Sequence, residues 1–366
     1  MNPHWHNLFA RLQESDGAAP LPLRALASGL AALYGLGARA RRELYARGLL
    51  KARRLPATVV SVGNLTVGGT GKTPVTAWLA RRLQERGRRV AILSRGYGGQ
   101  RRGVTRLSDG ETIFAKPPAV GEEAYWLARA LPGVAVYTGG NRYEAGLTAW
   151  REGRPDLFLL DDGFQHFKLH RDLDIVLLDA ESPFGNGCLL PRGPLREPAA
   201  ALTAAQVLIL TRFQPGRHAA MLADLKASFA DKTILTAAIL PVAARSYPDG
   251  GEVPPQALKG LDLYAFAGLA RPAVFSRTLT DLGVNLKGFR VFPDHHAFGA
   301  PDLRQLVREA QLRQAAALVT TGKDWARLGE EWQADLPLWV LEVEARLPEA
   351  DEILELLGGE RRGVAG

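Results

Sequence analysis

From residue 58 onward the chain alternates between short runs of apolar, β-branched residues and longer stretches with helical spacing. TVVSV (58–62), VAILS (90–94), VAVYT (134–138), LFLL (157–160), DIVLL (174–178) and VLIL (207–210) are bounded by turn residues. Runs of this length and composition predict buried strands. Helices are predicted between several of them, beginning near Lys72, Gly121 and Arg142. Such an alternation predicts a mainly parallel sheet with covering helices. A second series starts near residue 232, with TILTAAIL, DLYAFAG, GFRVF, AAALVTT and LPLWVLEV as strands and helices over 271–282 and 301–314. The pattern divides the chain into an N-terminal helix and basic segment (1–57), a first α/β domain (58–220) and a second, smaller α/β domain (221–366). FGNGCLLPRGPLREP (184–198), rich in Gly and Pro, is expected to be an ordered functional loop of the first domain.

Before the first strand, Leu23, Leu26, Leu30 and Leu33 fall at helical spacing. The apolar stretch ALASGLAALYGLGA (25–38) is 14 residues long, shorter than the roughly 20 needed to span a bilayer. Seven basic residues then follow between Arg39 and Arg54 (Arg39, Arg41, Arg42, Arg47, Lys51, Arg53, Arg54) against one acid, Glu43. An apolar stripe followed by a basic run suits the surface of an anionic membrane. An amphipathic helix packed on the protein's own body has the same stripe. A signal peptide would carry its charges before the apolar core.

Composition narrows the picture further. A chain of 366 residues with 46 % apolar content excludes wholesale disorder, and the formal charge of +8 calls for an anionic partner. The basic residues cluster beside an apolar helix and no nucleic-acid-binding motif is present, so nucleic acid is not expected as the partner. A single Cys188 cannot form an internal disulfide, which favours a reducing compartment.

The candidate chemistry starts at VGNLTVGGTGKTP. Gly71-Lys72-Thr73 fits the end of a phosphate-binding loop between strand and helix, while Thr66 occupies the place of the usual first glycine. Residues Thr66, Val67, Gly68, Gly69, Thr70, Gly71, Lys72 and Thr73 would cradle the phosphates of a nucleotide. Lys72 would reach the β and γ positions, and the Thr73 hydroxyl would bind Mg²⁺. Asp161 and Asp162, at the end of the apolar run 157–160, are candidates to hold that metal, although paired acids at a strand end also form turns and caps. Phosphoryl transfer needs a group to orient or deprotonate the acceptor. Glu122 and Glu123 at a helix start, His166, His295 and His296 are the candidates, and Arg95 and Arg142 lie at or just after strand ends. No Cys cluster or HExxH spacing suggests zinc.

Together, VGNLTVGGTGKTP, SRGYGG, LDDGFQHFKLHRDLDIVLLD, FGNGCLLPRGPLREP, FPDHHAF and VTTGKD, spread from residue 58 to 324, closely resemble the tetraacyldisaccharide 4′-kinase family, the lipid A 4′-kinases of Gram-negative bacteria. The resemblance implies a P-loop NTPase-like fold and an ATP- and Mg²⁺-dependent kinase on the cytoplasmic face of the inner membrane. Its acceptor would be the 4′-hydroxyl of a tetraacylated glucosamine disaccharide 1-phosphate, a lipid A precursor, with no obligatory protein partner. By motif, it implies catalytic roles for Lys72, Asp161, Asp162 and a base dyad of Glu122 with His295. Arg95, Tyr97, Glu123, Arg142, Gln165, His166, Arg196 and Glu197 would line the acceptor site. One departure stands out: the family usually has Gly-Asp-Glu-Pro where this chain has Gly121-Glu122-Glu123-Ala124. The carboxylate is kept but lies one methylene further out. The competing expectation, a GGxGKT-type partner-switching ATPase, usually has lysine just before the paired glycines, where this chain has Val67.

Overall fold

The protein is described by a computed structural model covering residues 20–328, 332 and 334–358. Its elements are α1 (Leu21–Ala46), β1 (Thr58–Asn64), α2 (Lys72–Glu85), β2 (Val90–Ser94), β3 (Thr105–Ser108), α3 (Glu122–Ala130), β4 (Ala135–Thr138), α4 (Arg142–Gly153), β5 (Leu157–Asp161), β6 (Leu173–Asp179), β7 (Val207–Thr211) and α5 (Pro215–Ser228). The chain continues with β8 (Thr233–Tyr247), β9 (Glu252–Val253), β10 (Asp262–Ala267), α6 (Pro272–Asp281), β11 (Asn285–Val291), α7 (Ala300–Leu312), β12 (Ala317–Thr321), α8 (Gly322–Arg327), β13 (Leu338–Arg346) and α9 (Ala350–Gly358). Its described residues form two compact units, neither continuous in sequence: one holds those up to Leu93, Asn141–Ala238 and those from Ala345 on, the other Ser94–Gly140 and those between Ile239 and Glu344. Residues 94–140 thus cluster with the C-terminal series rather than with the rest of segment 58–220.

In the first unit β1 lies between β5 and β6, with β2 beyond β5 and β7 then β8 beyond β6, all parallel. Every residue of β2, β5, β6 and β7 is buried, which is why their middle residues are apolar on both faces rather than alternating. Each fully buried Leu, Ile or Val contributes on the order of 1.5–3 kcal/mol. Loops leaving the carboxyl ends of β1, β5 and β6 therefore start from rigid positions, where ligands bind in such sheets.

Helix α1 packs on this unit with its small residues. Ala27, Ala31 and Gly35 are buried, and a Cβ at Gly35 would come within 2.5 Å of Leu189 Cδ1. The Tyr34 hydroxyl donates to the Arg196 carbonyl at 3.0 Å, and Arg42 Nε donates to Glu197 at 2.6 Å while lying over the Phe164 and Phe167 rings. Leu26, Leu30, Leu33 and Leu36 remain exposed. The helix has 26 residues, nearly twice the apolar stretch, because it runs on through the arginines. By length and composition it is long enough to cross a membrane, so shortness no longer argues against a span.

In the second unit, β10 pairs in parallel with β11 and β12, and β12 with β13. β3 pairs antiparallel with β4, and the later part of β8 with β9. A core of Leu263, Ala265, Ala267, Phe275, Leu279 and Val319 joins α6 to this sheet. Helices α3 and α8 pack against each other.

Candidate active site

The loop after β1 has the backbone shape a phosphate cradle requires. Gly68 and Gly71 have positive φ (104° and 81°), and α2 starts at Lys72 without a side-chain cap, so its first N–H groups and dipole remain available for an anion. Thr66 does not need glycine's freedom, because it lies in a short antiparallel ladder with segment 184–198. It bridges Leu195, Val67 N–H donates to the Pro194 carbonyl at 2.8 Å, and Arg196 N–H to the Leu65 carbonyl at 2.7 Å. The Gly- and Pro-rich loop is thus ordered by pairing with the front of the cradle.

Buried Asn64 holds the cradle from beneath. Its amide donates to the Thr66 carbonyl at 2.7 Å and to Thr70 Oγ1 at 2.9 Å, and Lys72 Nζ donates back to its Oδ1 at 3.2 Å. Thr211, at the end of β7, donates to the Thr70 carbonyl at 2.8 Å. Arg212 donates to the Gly69 carbonyl at 2.6 Å and pairs with Asp179, at the end of β6. Asn64, Asp179, Thr211 and Arg212 escaped the sequence reading. The available signal was a polar residue ending each apolar strand beside the loop.

Asp161 is buried, with Thr76 Oγ1 3.5 Å from its Oδ1. Asp162 has a positive φ of 54°. Arg196 donates to both its oxygens at 3.0 and 2.9 Å, and Lys72 lies 3.5 Å away. Burial would raise the Asp162 pKa, but Lys72, Arg196 and Arg142 outweigh it and hold the carboxyl below its ordinary value. Among the described residues no cluster of three His, Cys, Asp or Glu side chains forms a metal cage. Mg²⁺ does not need one, since it takes one or two carboxylates and completes its shell with phosphates and water. The buried Thr73 hydroxyl, Asp161 and an ionised Asp162 beside an uncapped helix start fit such an ion.

Gln165 donates to the Asn64 carbonyl at 2.9 Å. Its Oε1 and the His166 Nε2 are buried without a hydrogen-bond partner among the described residues. Burial, reinforced by Arg142, Arg171, Arg41 and Lys168, pushes the His166 pKa down to about 4, so this imidazole is neutral at pH 7. Arg142 is buried at the start of α4. Glu197 is committed to Arg42 of α1.

The second unit contains the remaining candidates. The Glu122 carboxylate, at the start of α3, meets His295 Nδ1 at 3.2 Å and Arg327 Nε at 2.5 Å. Burial raises the Glu122 pKa, but His295 and Arg327 together bring it below its ordinary value. Glu122 in turn raises the His295 pKa against burial. His295 has a φ of 60°, a strained conformation for a non-glycine residue. The Tyr97 ring lies 5.4 Å from the imidazole. The turn carrying Tyr97 approaches α3 so closely that a Cβ at Gly121 would collide with the Tyr97 carbonyl and Gly96. Glu123 is held by Lys323 at 2.5 Å. Arg95 is exposed, and His296 is paired with Asp302 at 3.0 Å. Lys323 was missed because VTTGKD carries no catalytic signature by itself, and Arg327 lies three residues beyond that stretch.

Residues 23–359 match the profile of the family described as LpxK, tetraacyldisaccharide-1-P 4′-kinase. A tetraacyldisaccharide 4′-kinase of Geobacter sulfurreducens is 44 % identical over 338 residues, covering 91 % of this chain and 92 % of its own. One from Anaeromyxobacter dehalogenans strain 2CP-C is 45 % identical over 354 residues, covering 92 % and 91 %. Among solved structures, the "apo" form of LpxK from Aquifex aeolicus in complex with ATP superposes with a TM-score of 0.71 at 32 % identity, over 92 % of this chain and 98 % of that one.

Proposed function

The chain belongs to the tetraacyldisaccharide-1-P 4′-kinase family, and from that premise we propose that it transfers the γ-phosphate of ATP to the 4′-hydroxyl of a tetraacylated glucosamine disaccharide 1-phosphate, a step of lipid A biosynthesis. A partner-switching ATPase needs no acceptor base, whereas a sugar kinase does. The Glu122–His295 contact at 3.2 Å is the observation that carries the kinase reading, and Val67 in place of the switch lysine agrees with it.

Lys72 and the loop N–H groups bind the phosphate chain, and Thr73, Asp161 and Asp162 would hold Mg²⁺. When bound, the ion neutralises charge on the β and γ oxygens. Glu122, ionised at neutral pH, accepts the proton of the 4′-hydroxyl, and His295 orients it by donating from Nδ1. A carboxylate of lowered pKa suffices because the transition state is loose and little charge develops on the attacking oxygen. Glu123 is paired with Lys323 rather than with a histidine, which supports Glu122 over Glu123 as the base. Arg142, Arg196 and the neutral His166 suit the anionic and hydroxyl groups of the reactants, with Arg95, Tyr97 and Gln165 as further acceptor contacts.

Helix α1 lies on an anionic membrane surface rather than crossing it. Its small-residue face, Tyr34 and Arg42 are already engaged with the first unit, which a spanning helix would have to give up. The leucines on the other side are left for lipid, with arginines beside the headgroups. The need for ATP and the lone thiol favour the cytoplasmic face, and the reaction as drawn requires no protein partner.

The test is incubation with γ-labelled ATP, Mg²⁺ and a lipid A disaccharide precursor in detergent. Label should pass to the lipid, and Glu122→Gln should reduce turnover at least about 100-fold. Hydrolysis at the same rate with and without lipid, and no labelled lipid, would instead identify a switch ATPase.

A further inference from the structure

Arg327 lies at the end of α8, with its side chain 2 % exposed. Its three nitrogens point in different directions. Nη1 donates to the Gly268 carbonyl at 2.5 Å and to Asp324 Oδ1 at 2.8 Å, and Nη2 lies 3.4 Å from His295 Nδ1 and 3.8 Å from Asp294. Nε donates to Glu122 Oε2 at 2.5 Å. Asp324 is itself fully buried and held by Thr321 Oγ1 at 2.8 Å and the Gly268 N–H at 3.2 Å. The guanidinium is therefore fixed from behind before it reaches Glu122, and its planar fork does not swing as an ammonium would.

His295 and Arg327 both take Oε2 of Glu122. Among the described residues nothing hydrogen-bonds its Oε1, although the side chain is only 18 % exposed. We infer that Arg327 is a positioning residue for phosphoryl transfer: it fixes the Glu122 carboxylate through Oε2 and leaves Oε1 as the oxygen that receives the acceptor's proton. The acceptor O–H bond breaks toward Oε1 as its oxygen bonds to the γ-phosphorus, and the bond from that phosphorus to the ADP oxygen breaks. This inference rests on the reading of Glu122 as base and adds the residue that aims it. It also accounts for how a glutamate, with one more rotatable bond than aspartate, is kept in a single orientation. A misplacement on the order of 1 Å can cost roughly 100-fold in rate.

The charged and titratable groups around Glu122 are Arg327, Lys323 and Asp324 from α8, Asp294 and His295 from the turn after β11, Glu123 on its own helix, and Tyr97 across His295. Replacing Arg327 by Gln together with Asp324 by Asn removes the cation without stranding a buried carboxylate. With the full-length enzyme, ATP and the lipid disaccharide acceptor, this double variant should lose about 10- to 100-fold in kcat, with KM for ATP changed less than about twofold. The acid limb of the kcat profile should move to higher pH, because the carboxylate loses a neighbouring cation. Arg327→Lys should restore the acid limb but only part of kcat. In a Glu122→Gln background the double variant should cost little more. Wild-type kcat in the double variant, or a fall in kcat with an unmoved acid limb, would overturn the inference while leaving Glu122 as base. Near-normal turnover by Glu122→Gln alone would overturn both, which separates the two failures.

Discussion

Asn64 and His166 show how single side chains set the properties of the first unit. Asn64 is buried and bonds Thr66, Thr70 and Lys72 at once. An unpaired buried polar group costs about 1–3 kcal/mol. Asn64→Ala should therefore lower the thermal midpoint and raise KM for ATP by several-fold, with kcat less affected; an unchanged KM would show that the cradle does not depend on it. His166 has a folded pKa near 4, below the ordinary 6.5. The unfolded chain binds this proton first, so its contribution to stability is full above about pH 6.5 and falls as pH drops toward 4. Between pH 7.5 and 5 the full shift would amount to about 2 kcal/mol, which solvent screening of the half-buried ring reduces to about 1 kcal/mol. Urea unfolding at both values should show that difference shrinking by a comparable amount in His166→Asn. The histidines were visible in the sequence as candidates. What separates them is burial and neighbouring arginines for His166, a carboxylate for His295, and these arise from residues 24 and 173 positions away respectively in Arg142 and Glu122.

Among the elements, α1 and the 184–198 loop show how far pattern carries. Leucine spacing predicted an amphipathic helix, and the structure reveals two faces: small residues against the protein and leucines outward. Replacing Leu26, Leu30 and Leu33 with Ser should leave the thermal midpoint within about 1 °C, because exposed positions contribute little. It should also sharply reduce sedimentation with anionic vesicles; undiminished sedimentation would remove these leucines from the membrane contact. Gly121 needs its missing side chain because the 96–97 backbone lies against it. Gly121→Val should thus disturb α3 and lower both stability and turnover. Strands were legible because burial on both faces makes them uniformly apolar. α8 was not, since six residues give no clear helical period, and β3 and β9 are too short to announce themselves.

For the whole molecule, a ligand that binds only the folded state stabilises it by mass action, by about 2.7 kcal/mol at 100 times its Kd. ATP with Mg²⁺ should accordingly raise the thermal midpoint, and Lys72→Met should abolish that rise while remaining folded. A full shift retained by Lys72→Met would argue that the nucleotide binds elsewhere. The strand inventory and the motif order identify the family from sequence, but the compact units are discontinuous: residues 94–140 join the C-terminal series, a grouping set by contacts between distant segments.

By itself, the sequence determined the parallel α/β plan, the glycine-rich loop between β1 and α2 with its tolerated Thr66, and the kinase family, because local composition and spacing encode burial and backbone conformation directly. Only the tertiary structure decided which of two adjacent glutamates faces the histidine, how Asn64 and Arg212 bond the glycine-rich loop, and that Arg327 reaches Glu122. Those relations depend on directed contacts of about 3 Å, most of them between residues far apart in the chain, and hydrogen bonds weaken steeply when their angle is lost.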